Sequence, residues 1–181
     1  MGNKKQAVVS FLGTVLDSGF GQGRWQKWRP NVAMNQRHDF HLDRMELFYA
    51  EKYRDLADHV KADIQQVSPH TAVNLVPMEL ENPWDFSEVY TKLHDWAAGY
   101  AFDTEEETYL THITTGTHVA QICLFLLVES RQIPGVLLQT APPKNQKRSM
   151  GKGDVGGYEI IDLDLARYDV LAERLAAVRD D

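Results

Sequence analysis

Short apolar runs alternate with helical patterns along the chain, and no other feature of the sequence restricts the fold as strongly. The helical patterns repeat apolar residues on one face, as Tyr53, Leu56, Val60 and Ile64 do. The apolar runs have the length and composition of buried strands, and they occupy residues 7–13, 44–49, 71–80, 108–115, 135–143 and 158–165. Because strands that alternate with helices pair in parallel and are covered by helices, we predict a Rossmann-like α/β domain. Its sheet should be doubly wound and mainly parallel, with about six strands and helices on both faces.

Proline and capping residues set several boundaries of these elements. Pro30 is expected to open a short helix as its first residue, and Pro69 to end the helix that precedes it. Asp85 or Asn82 is expected to cap the helix that follows the third strand. Pro77 indicates that the third strand ends near an edge of the sheet or at a bulge.

Composition narrows the class of protein further. With 181 residues and 43% hydrophobic residues, the chain is predicted to form a single domain over residues 1–181. The longest apolar stretch, 119–128, is too short to cross a bilayer, and the N-terminal residues do not form a signal peptide. One cysteine, Cys123, forms no internal disulfide, so we expect a cytoplasmic protein without a membrane partner. The net charge of −7 argues against a protein that coats duplex nucleic acid, so nucleic-acid contacts should be local to a few phosphates.

The stretch THITTGTHVAQ marks the point where the fourth strand ends and an apolar helix begins. Helix starts in open α/β sheets bind anions through unpaired N–H groups and the helix dipole. A glycine in such a turn lets a ligand approach the backbone, and neighbouring hydroxyl, imidazole and amide groups add hydrogen bonds. The candidate ligand-binding residues of this turn are Thr114, Thr115, Gly116, Thr117, His118 and Gln121. An equally good interpretation is that Thr115 or Thr117 merely caps the helix.

The first strand also ends in a Gly-Thr pair, Gly13 and Thr14, with Asp17 shortly after it. In a doubly wound sheet the first and fourth strands commonly lie side by side, at the point where the strand order reverses. We therefore predict that the two Gly-Thr turns meet in one crevice and bind a phosphate or nucleotide there. Gly13, Thr14 and Asp17 join the candidate ligand-binding residues.

A basic and aromatic segment, GRWQKWRP, follows the first turn. Arg24 and Arg29 are candidates for binding phosphate, and Trp28, with Trp25, for stacking on a base. Lys144, the first residue of the Gly- and Lys-rich loop predicted after the fifth strand, is a further candidate. The alternative for the charged residues is a solvated loop, and for the tryptophans a place in the core.

The sequence does not support the common enzyme classes. It contains no P-loop motif, and Gly19, Gly21 and Gly23 have the wrong spacing for a dinucleotide fingerprint. The single His-x-Thr pair at His112 lacks the second copy that two-histidine phosphoesterases need, so we expect His112 to make a local hydrogen bond. No zinc spacing is present. We predict no catalytic residue, metal or cofactor, and we keep a nucleotide-cleaving sensor as the alternative function.

At this point the sequence resembles a known family. The stretches SFLGTVLD, RWQKWRP, NPWDFSEVYTKLHDWAAGY, YLTHITTGTHVAQICLFLL and IIDLDLARYD closely resemble the N-terminal domain of the RtcR family, activators of the bacterial RNA-repair operon. More broadly, the turn after the fourth strand is similar to the ligand motif of CARF sensor domains. The resemblance implies a non-enzymatic, ligand-sensing regulatory domain. Its implied ligand is RNA with a 2′,3′-cyclic phosphate end, such as a tRNA fragment, or a small cyclic nucleotide.

The resemblance also implies how such a domain would act. In intact regulators it would precede an AAA+ ATPase, which works with the enhancer-dependent sigma factor, and a helix-turn-helix that binds DNA. Neither lies in this chain, so DNA and sigma factor would be partners only of other domains, and ligand binding would relieve autoinhibition of the ATPase. The chain stops within an amphipathic helix, which we expect to lead to those domains. The family's binding turns correspond to Gly13 and Thr14 and to residues 114–118, where Thr115-Gly116 replaces the two glycines of many sensors.

Domains of this kind pair two-fold, so the resemblance implies a homodimer or higher homo-oligomer. The residues point the same way, because helix 119–128 is apolar nearly all round and one sheet face should not bury it completely. The alternative is a central helix within one subunit.

Overall fold

The computed structural model describes residues 3–144, 155–162 and 170. It has a single six-stranded sheet in the order β3-β2-β1-β4-β5-β6. The strands are β1 (Lys5–Phe11), β2 (Arg44–Tyr49), β3 (Ala72–Pro77), β4 (Glu107–His112), β5 (Val136–Ala141) and β6 (Gly157–Ile161). The helices are α1 (Pro30–Ala33), α2 (Arg54–Val67), α3 (Phe86–Gly99) and α4 (His118–Glu129). β1 to β5 pair in parallel, and β6 pairs antiparallel to β5.

Successive residues of each strand point to opposite faces of the sheet. Both faces are buried because helices cover each of them. In β1, Val8 packs in one core cluster together with Leu56 and Val60 of α2. The next residue, Val9, packs in the other cluster with Leu93 of α3 and with residues of α4 such as Leu124. Full burial of a Leu or Val side chain contributes about 1.5–3 kcal/mol, so both layers hold the sheet in place. The predicted doubly wound α/β fold is confirmed.

The strand order reverses between β1 and β4, which lie side by side with Val9 opposite Thr111. From β1 the chain winds outward through β2 to β3 in one direction, and from β4 it winds through β5 in the other. A crevice opens at such a switch point, at the carboxyl ends of the strands. The predicted neighbourhood of the first and fourth strands is therefore present.

Several predicted boundaries are confirmed. Pro30 is the first residue of α1, and Asp85 caps α3 by accepting a hydrogen bond from the Glu88 amide at 2.8 Å. Pro77 ends β3, which is the edge strand of the sheet. Cys123 is fully buried, as expected of a small core residue.

Other boundaries need correction. β4 ends at His112, not at residue 115, so Thr114 and Thr115 belong to the turn. β3 is shorter than the predicted residues 71–80, since it spans Ala72–Pro77. The Gly- and Lys-rich loop predicted after the fifth strand lies largely outside the described residues. The end of the last predicted strand and most of the predicted C-terminal helix also lie outside them.

α4 is largely covered within one chain, contrary to what its apolar composition predicts. α4 packs against the sheet on one side and against α3 on the other, which buries most of its apolar residues within the chain. Among its apolar side chains only Ile122 is strongly exposed, at 48%. The helix therefore does not by itself require a second copy. No helix in the described ranges is long and apolar enough to cross a membrane.

Candidate functional site

The turns after β1 and β4 touch each other at the carboxyl edge of the sheet. The Thr115 hydroxyl donates a 2.6 Å hydrogen bond to the Phe11 carbonyl at the end of β1. A methyl group placed on Gly13 would lie 3.1 Å from the Thr115 side chain. The two turns therefore lie against each other, as the sequence predicts.

The turn after β4 leaves a series of backbone donors open. Gly116 has a φ of +88°, which glycine adopts without strain and which brings the chain sharply into α4. Thr117 caps the helix, because its hydroxyl accepts the Ala120 amide at 3.1 Å and donates to the Pro83 carbonyl at 3.1 Å. Within the described part of the chain, none of the backbone N–H groups of residues 115–119 donates a hydrogen bond. These donors lie at the positive end of the dipole of a 12-residue helix, where an anion is favoured.

The turn after β1 is different, because a side chain of the protein already occupies it. The Asp17 carboxylate accepts the Gly13 amide at 2.7 Å and the Asn31 side-chain amide at 2.6 Å. It also accepts the Asn31 backbone amide at 3.1 Å. Asp17 is fully buried, and burial raises the pKa of its carboxyl, while these N–H donors oppose the rise. Gly13 and Asp17 thus bind each other, whereas Thr14 is exposed.

Beneath the two turns, a chain of buried polar groups ties β1, β4 and β5 together. The Ser10 hydroxyl lies 2.6 Å from the Asn31 side-chain oxygen and 2.8 Å from Nδ1 of His112. Nε2 of His112 lies 2.8 Å from the Thr140 hydroxyl, which confirms that this histidine makes local hydrogen bonds. Burial lowers the pKa of His112 to about 3, so its ring is neutral at physiological pH. A neutral ring fits between two hydroxyl groups, whereas a buried imidazolium would be costly.

Three further candidate side chains bond to the backbone around the turn. The Thr114 hydroxyl accepts the Thr140 amide at 2.8 Å and donates to the Thr140 carbonyl at 3.2 Å. Thr115 is buried and bound to Phe11, as described above. The Gln121 amide donates to the Gly116 carbonyl at 3.2 Å. Each of these side chains thus shapes the turn.

Arg24 and Arg29 are not free guanidinium groups in this structure. Both form ion pairs with Asp63 of α2, at 2.8 Å for Arg24 and 2.7 Å for Arg29. Trp25 lies beside both guanidinium groups, at 5.0 Å and 5.1 Å from its ring centroid. Two arginines lower the pKa of the Asp63 carboxyl although burial opposes this. The predicted phosphate ligands thus anchor the segment after the first turn to α2, and the exposed fraction of Arg29 is 2%.

The last two candidates are Trp28, which lies near the start of β6, and Lys144, which ends the described range 3–144. Trp28 is half-buried, and its indole nitrogen lies close to Gly156, just before β6. Lys144 is exposed. Neither is brought against the two turns by any contact of the described residues.

Sequence analysis missed one aromatic pair beside the second turn. The ring of Trp84 lies 5.1 Å from the ring of His118, with an angle of 56° between the planes. Trp84 is 60% exposed, and His118 is exposed as well. The NPWDF stretch contains the signal, because a tryptophan directly before a capping aspartate lies at a helix start and outside the apolar face of that helix.

A cleft of about 670 Å³ lies at the opposite, amino-terminal edge of the sheet. Its polar groups are paired with one another: Arg44 forms ion pairs with Glu46 and Glu107, and the Tyr100 hydroxyl donates to Glu46 at 2.8 Å. Ligands of open α/β sheets bind at the carboxyl ends of the strands. The carboxyl edge with its two turns is therefore the better candidate. Among the described residues no cluster of His, Cys, Asp and Glu has the arrangement of a metal site.

Comparisons with known proteins agree with this description. Residues 4–181 match the family model RtcR, described as Regulator of RNA terminal phosphate cyclase. The Transcriptional regulatory protein RtcR of Escherichia coli strain K12 is 50% identical over 177 residues, which cover 97% of this chain and 33% of that protein. The chain thus spans about a third of the length of this curated relative.

Two solved structures are similar in fold. Enterococcus italicus Csm6 bound to cyclic hexa-2′-fluoro-hexa-dAMP has a TM-score of 0.65 and 15% identity, covering 98% of this chain and 47% of Csm6. This likeness confirms the Rossmann-like fold of the chain. Can2 of Sulfobacillus thermosulfidooxidans, in complex with cyclic tetra-adenylate, has a TM-score of 0.49 and 13% identity over 84% of this chain and 38% of Can2. That second likeness is too loose to carry an argument.

Proposed function

The chain belongs to the RtcR family, and on that premise we propose that it is the ligand-sensing domain of a transcriptional regulator of RNA-repair genes. Its ligand is RNA that ends in a 2′,3′-cyclic phosphate, such as a tRNA fragment, or a related small nucleotide. The phosphate binds to the backbone N–H groups of residues 115–119. Thr14, on the facing turn, contributes a hydroxyl group.

The observation that carries this proposal is the run of unpaired N–H groups at the start of α4. The first N–H groups of a helix have no partner within the helix, so this run of open donors is available to an acceptor from outside. A phosphate supplies several acceptor oxygens and a negative charge for the helix dipole. The net charge of −7 disfavours long stretches of nucleic acid elsewhere on the surface, so the domain would select an end.

The regulatory step is a shift between two states of the longer regulator. A ligand changes such an equilibrium only to the extent that it binds one state more tightly than the other. Here the ligand would favour the state in which the neighbouring ATPase domain is released from autoinhibition. DNA and sigma factor would be contacted through other domains, and a second copy of the chain would complete the assembly. The domain would work in the cytoplasm.

One observation favours the alternative, a sensor that cleaves its nucleotide. The exposed imidazole of His118 lies in the proposed phosphate turn and could exchange protons with a bound ribose. Incubating the chain with end-labelled RNA and looking for shortened product distinguishes this alternative. Loss of cleavage in His118→Gln would be required before any product is assigned to this site.

Binding of RNA ends to Gly116→Ala tests the proposed site. The probe is a short RNA with a 2′,3′-cyclic phosphate end, compared with the same RNA ending in a hydroxyl group. We expect the natural chain to prefer the cyclic phosphate by at least about 10-fold, equal to about 1.4 kcal/mol. In Gly116→Ala the left-handed backbone is strained by about 1–2 kcal/mol and the amides turn away, so this preference should disappear.

The matched control is Gly21→Ala, because a methyl group there meets no atom within 4 Å and the backbone φ is unexceptional. This variant should keep the preference for the cyclic phosphate. Thermal unfolding of both variants shows whether the fold is retained. Equal binding of the two RNA ends by the natural chain would refute the proposed ligand, and an unchanged preference in Gly116→Ala would refute the site.

A further inference from the structure

Trp84 is an unusual surface residue because most of its large apolar ring is open to water. Its exposed fraction is 60%, and its ring lies against the exposed ring of His118. Tryptophan is enriched at binding surfaces, because its ring supplies a large contact area together with a polar N–H group.

The loop that carries Trp84 is held by a dense set of hydrogen bonds. The Glu88 carboxylate of α3 accepts the backbone amides of Glu81 at 2.6 Å and of Asn82 at 2.9 Å. The Asn82 side chain in turn accepts the amide of Trp84 at 3.1 Å. The exposure of the indole ring is therefore a property of an ordered loop.

The same loop is joined to the turn that carries the unpaired N–H groups. The Thr117 hydroxyl, which caps α4, donates to the carbonyl of Pro83, the residue before Trp84. His118 belongs to both features, because its amide is one of the unpaired donors and its ring contacts Trp84. The aromatic pair of Trp84 and His118 thus adjoins the proposed phosphate position at residues 115–119.

We propose that Trp84 and His118 bind the nucleobase of the nucleotide whose phosphate lies on residues 115–119. This inference rests on the proposed function and adds the part of the ligand that the pair recognises. Every base has an aromatic face that stacks on an indole ring, so the pair contributes affinity with little base preference. The ligand is then a terminal nucleotide with its base, and a bare phosphate group would not suffice.

A second copy of the chain is the competing occupant, since Phe86 of α3 (46% exposed) and Ile122 of α4 (48% exposed) are large apolar residues that are also exposed. The nucleobase is favoured because an apolar subunit surface would cover the unpaired N–H groups without supplying acceptors for them. The ring of Phe86 stacks on Tyr90 and has no ring contact with the pair.

The test measures how tightly the 181-residue chain binds two RNA probes with the same 2′,3′-cyclic phosphate end. One probe has a base on its last nucleotide, and the other is abasic there. The natural chain should bind the abasic probe roughly 5- to 150-fold more weakly, the range for losing one base–aromatic stack. Trp84→Ala should weaken binding of the complete probe by a similar factor and should not discriminate between the probes. Trp84→Phe should retain most of the discrimination.

Phe86→Ala is the matched control, because it removes a similarly exposed ring two residues after Trp84 and should bind both probes as the natural chain does. Equal affinities of Trp84→Ala and Phe86→Ala for the complete probe would overturn the inference and leave the proposed phosphate site intact. Failure of the natural chain to bind either probe would instead refute the proposed function. Sedimentation of each variant measures its self-association. If Trp84→Ala no longer self-associates but binds RNA as the natural chain does, the inference is overturned and a second copy of the chain covers Trp84 instead.

Discussion

The turns after β1 and β4 share a Gly-Thr dipeptide and a place at the same edge of the sheet, yet they differ in what occupies them. Gly13 is buried and its amide is bound to the Asp17 carboxylate. Gly116 is exposed, has a positive φ, and its amide belongs to a run of donors without a partner in the described chain. One turn thus contains its own hydrogen-bond acceptor and the other does not.

The difference teaches that a glycine-containing turn becomes a binding site only when nothing in the protein satisfies its donors. Asp17 lies four residues after Gly13, on a single helical turn that folds its carboxylate back onto the Gly13 amide. The residue at the corresponding position after Gly116 is Ala120, which has no acceptor to offer. The first turn is therefore a rigid wall of the crevice, and the second is the face that a ligand would meet.

Removing the Asp17 carboxyl group from the first turn is expected to have the largest effect on the free energy of unfolding. In Asp17→Ala three N–H donors of Gly13 and Asn31 lose their acceptor inside the protein. Each buried donor left without a partner costs about 1–3 kcal/mol, so the free energy of unfolding should fall by about 3 kcal/mol or more. Urea denaturation of the purified chain measures this change.

Asp103→Ala is the control for that experiment. Asp103 also accepts backbone amides, from Glu105 and Glu106 at 3.2 Å, but it does so in an exposed loop where water replaces the lost oxygen. Its effect should be several times smaller. If Asp17→Ala unfolds at the same urea concentration as the natural chain, the carboxylate does not support the first turn and the contrast between the turns is wrong.

The pH dependence of stability tests the buried group that joins the strands beneath both turns. The pKa of His112 is lowered from its ordinary 6.5 to about 3, so below pH 6.5 the unfolded chain takes up a proton that the folded chain does not. Stability due to this group is therefore complete above pH 6.5 and is lost as the pH falls towards 3, by about 1.4 kcal/mol per pH unit. Between pH 7 and pH 5 the loss should reach about 2 kcal/mol.

The comparison of the natural chain with His112→Gln isolates this effect. Asp17 acts in the opposite direction, because its raised pKa lets the folded chain take up a proton before the unfolded chain does. Both proteins contain Asp17, so the difference between their pH profiles belongs to His112. Denaturation midpoints at several pH values should fall more steeply for the natural chain, and parallel profiles would show that His112 is not buried in a neutral form.

The fold could be predicted from the sequence because its signals are local and repeated. Apolar runs of strand length alternate with apolar positions at helical spacing, and that alternation alone fixes the parallel sheet and its two helical layers. The antiparallel pairing of β6 could not be predicted from such a pattern, since a strand carries the same residues in either direction. The buried state of α4 depended on how α3 packs over it, which is a property of the whole fold.

The position of the candidate site could be predicted, but not the state of its side chains. The two Gly-Thr pairs at strand ends indicated the crevice, because the strand order brings those ends together. Nothing in the sequence showed that Asp63, which lies 34 residues after Arg29, pairs with it. Long-range ion pairs of this kind decide whether a charged residue is free, and they follow from the packing of α2.

The smallest expected effect separates the two threonines of the Gly-Thr pairs. Thr117 caps α4, so Thr117→Ala should lower the free energy of unfolding by about 1 kcal/mol, and Thr117→Ser should restore most of it because serine keeps the capping hydroxyl.

Thr14 is exposed, and its hydroxyl has no partner in the part of the chain that the structure describes. Thr14→Ala should therefore leave stability within about 0.5 kcal/mol of the natural chain. If Thr14 faces the bound phosphate as proposed, the same variant should bind the cyclic-phosphate RNA at least about 10-fold more weakly, since one hydrogen bond to a charged group contributes about 1.5–3 kcal/mol. Equal losses of stability in Thr117→Ala and Thr14→Ala would mean that both threonines are structural. The turn after β1 would then contribute no side chain to the ligand.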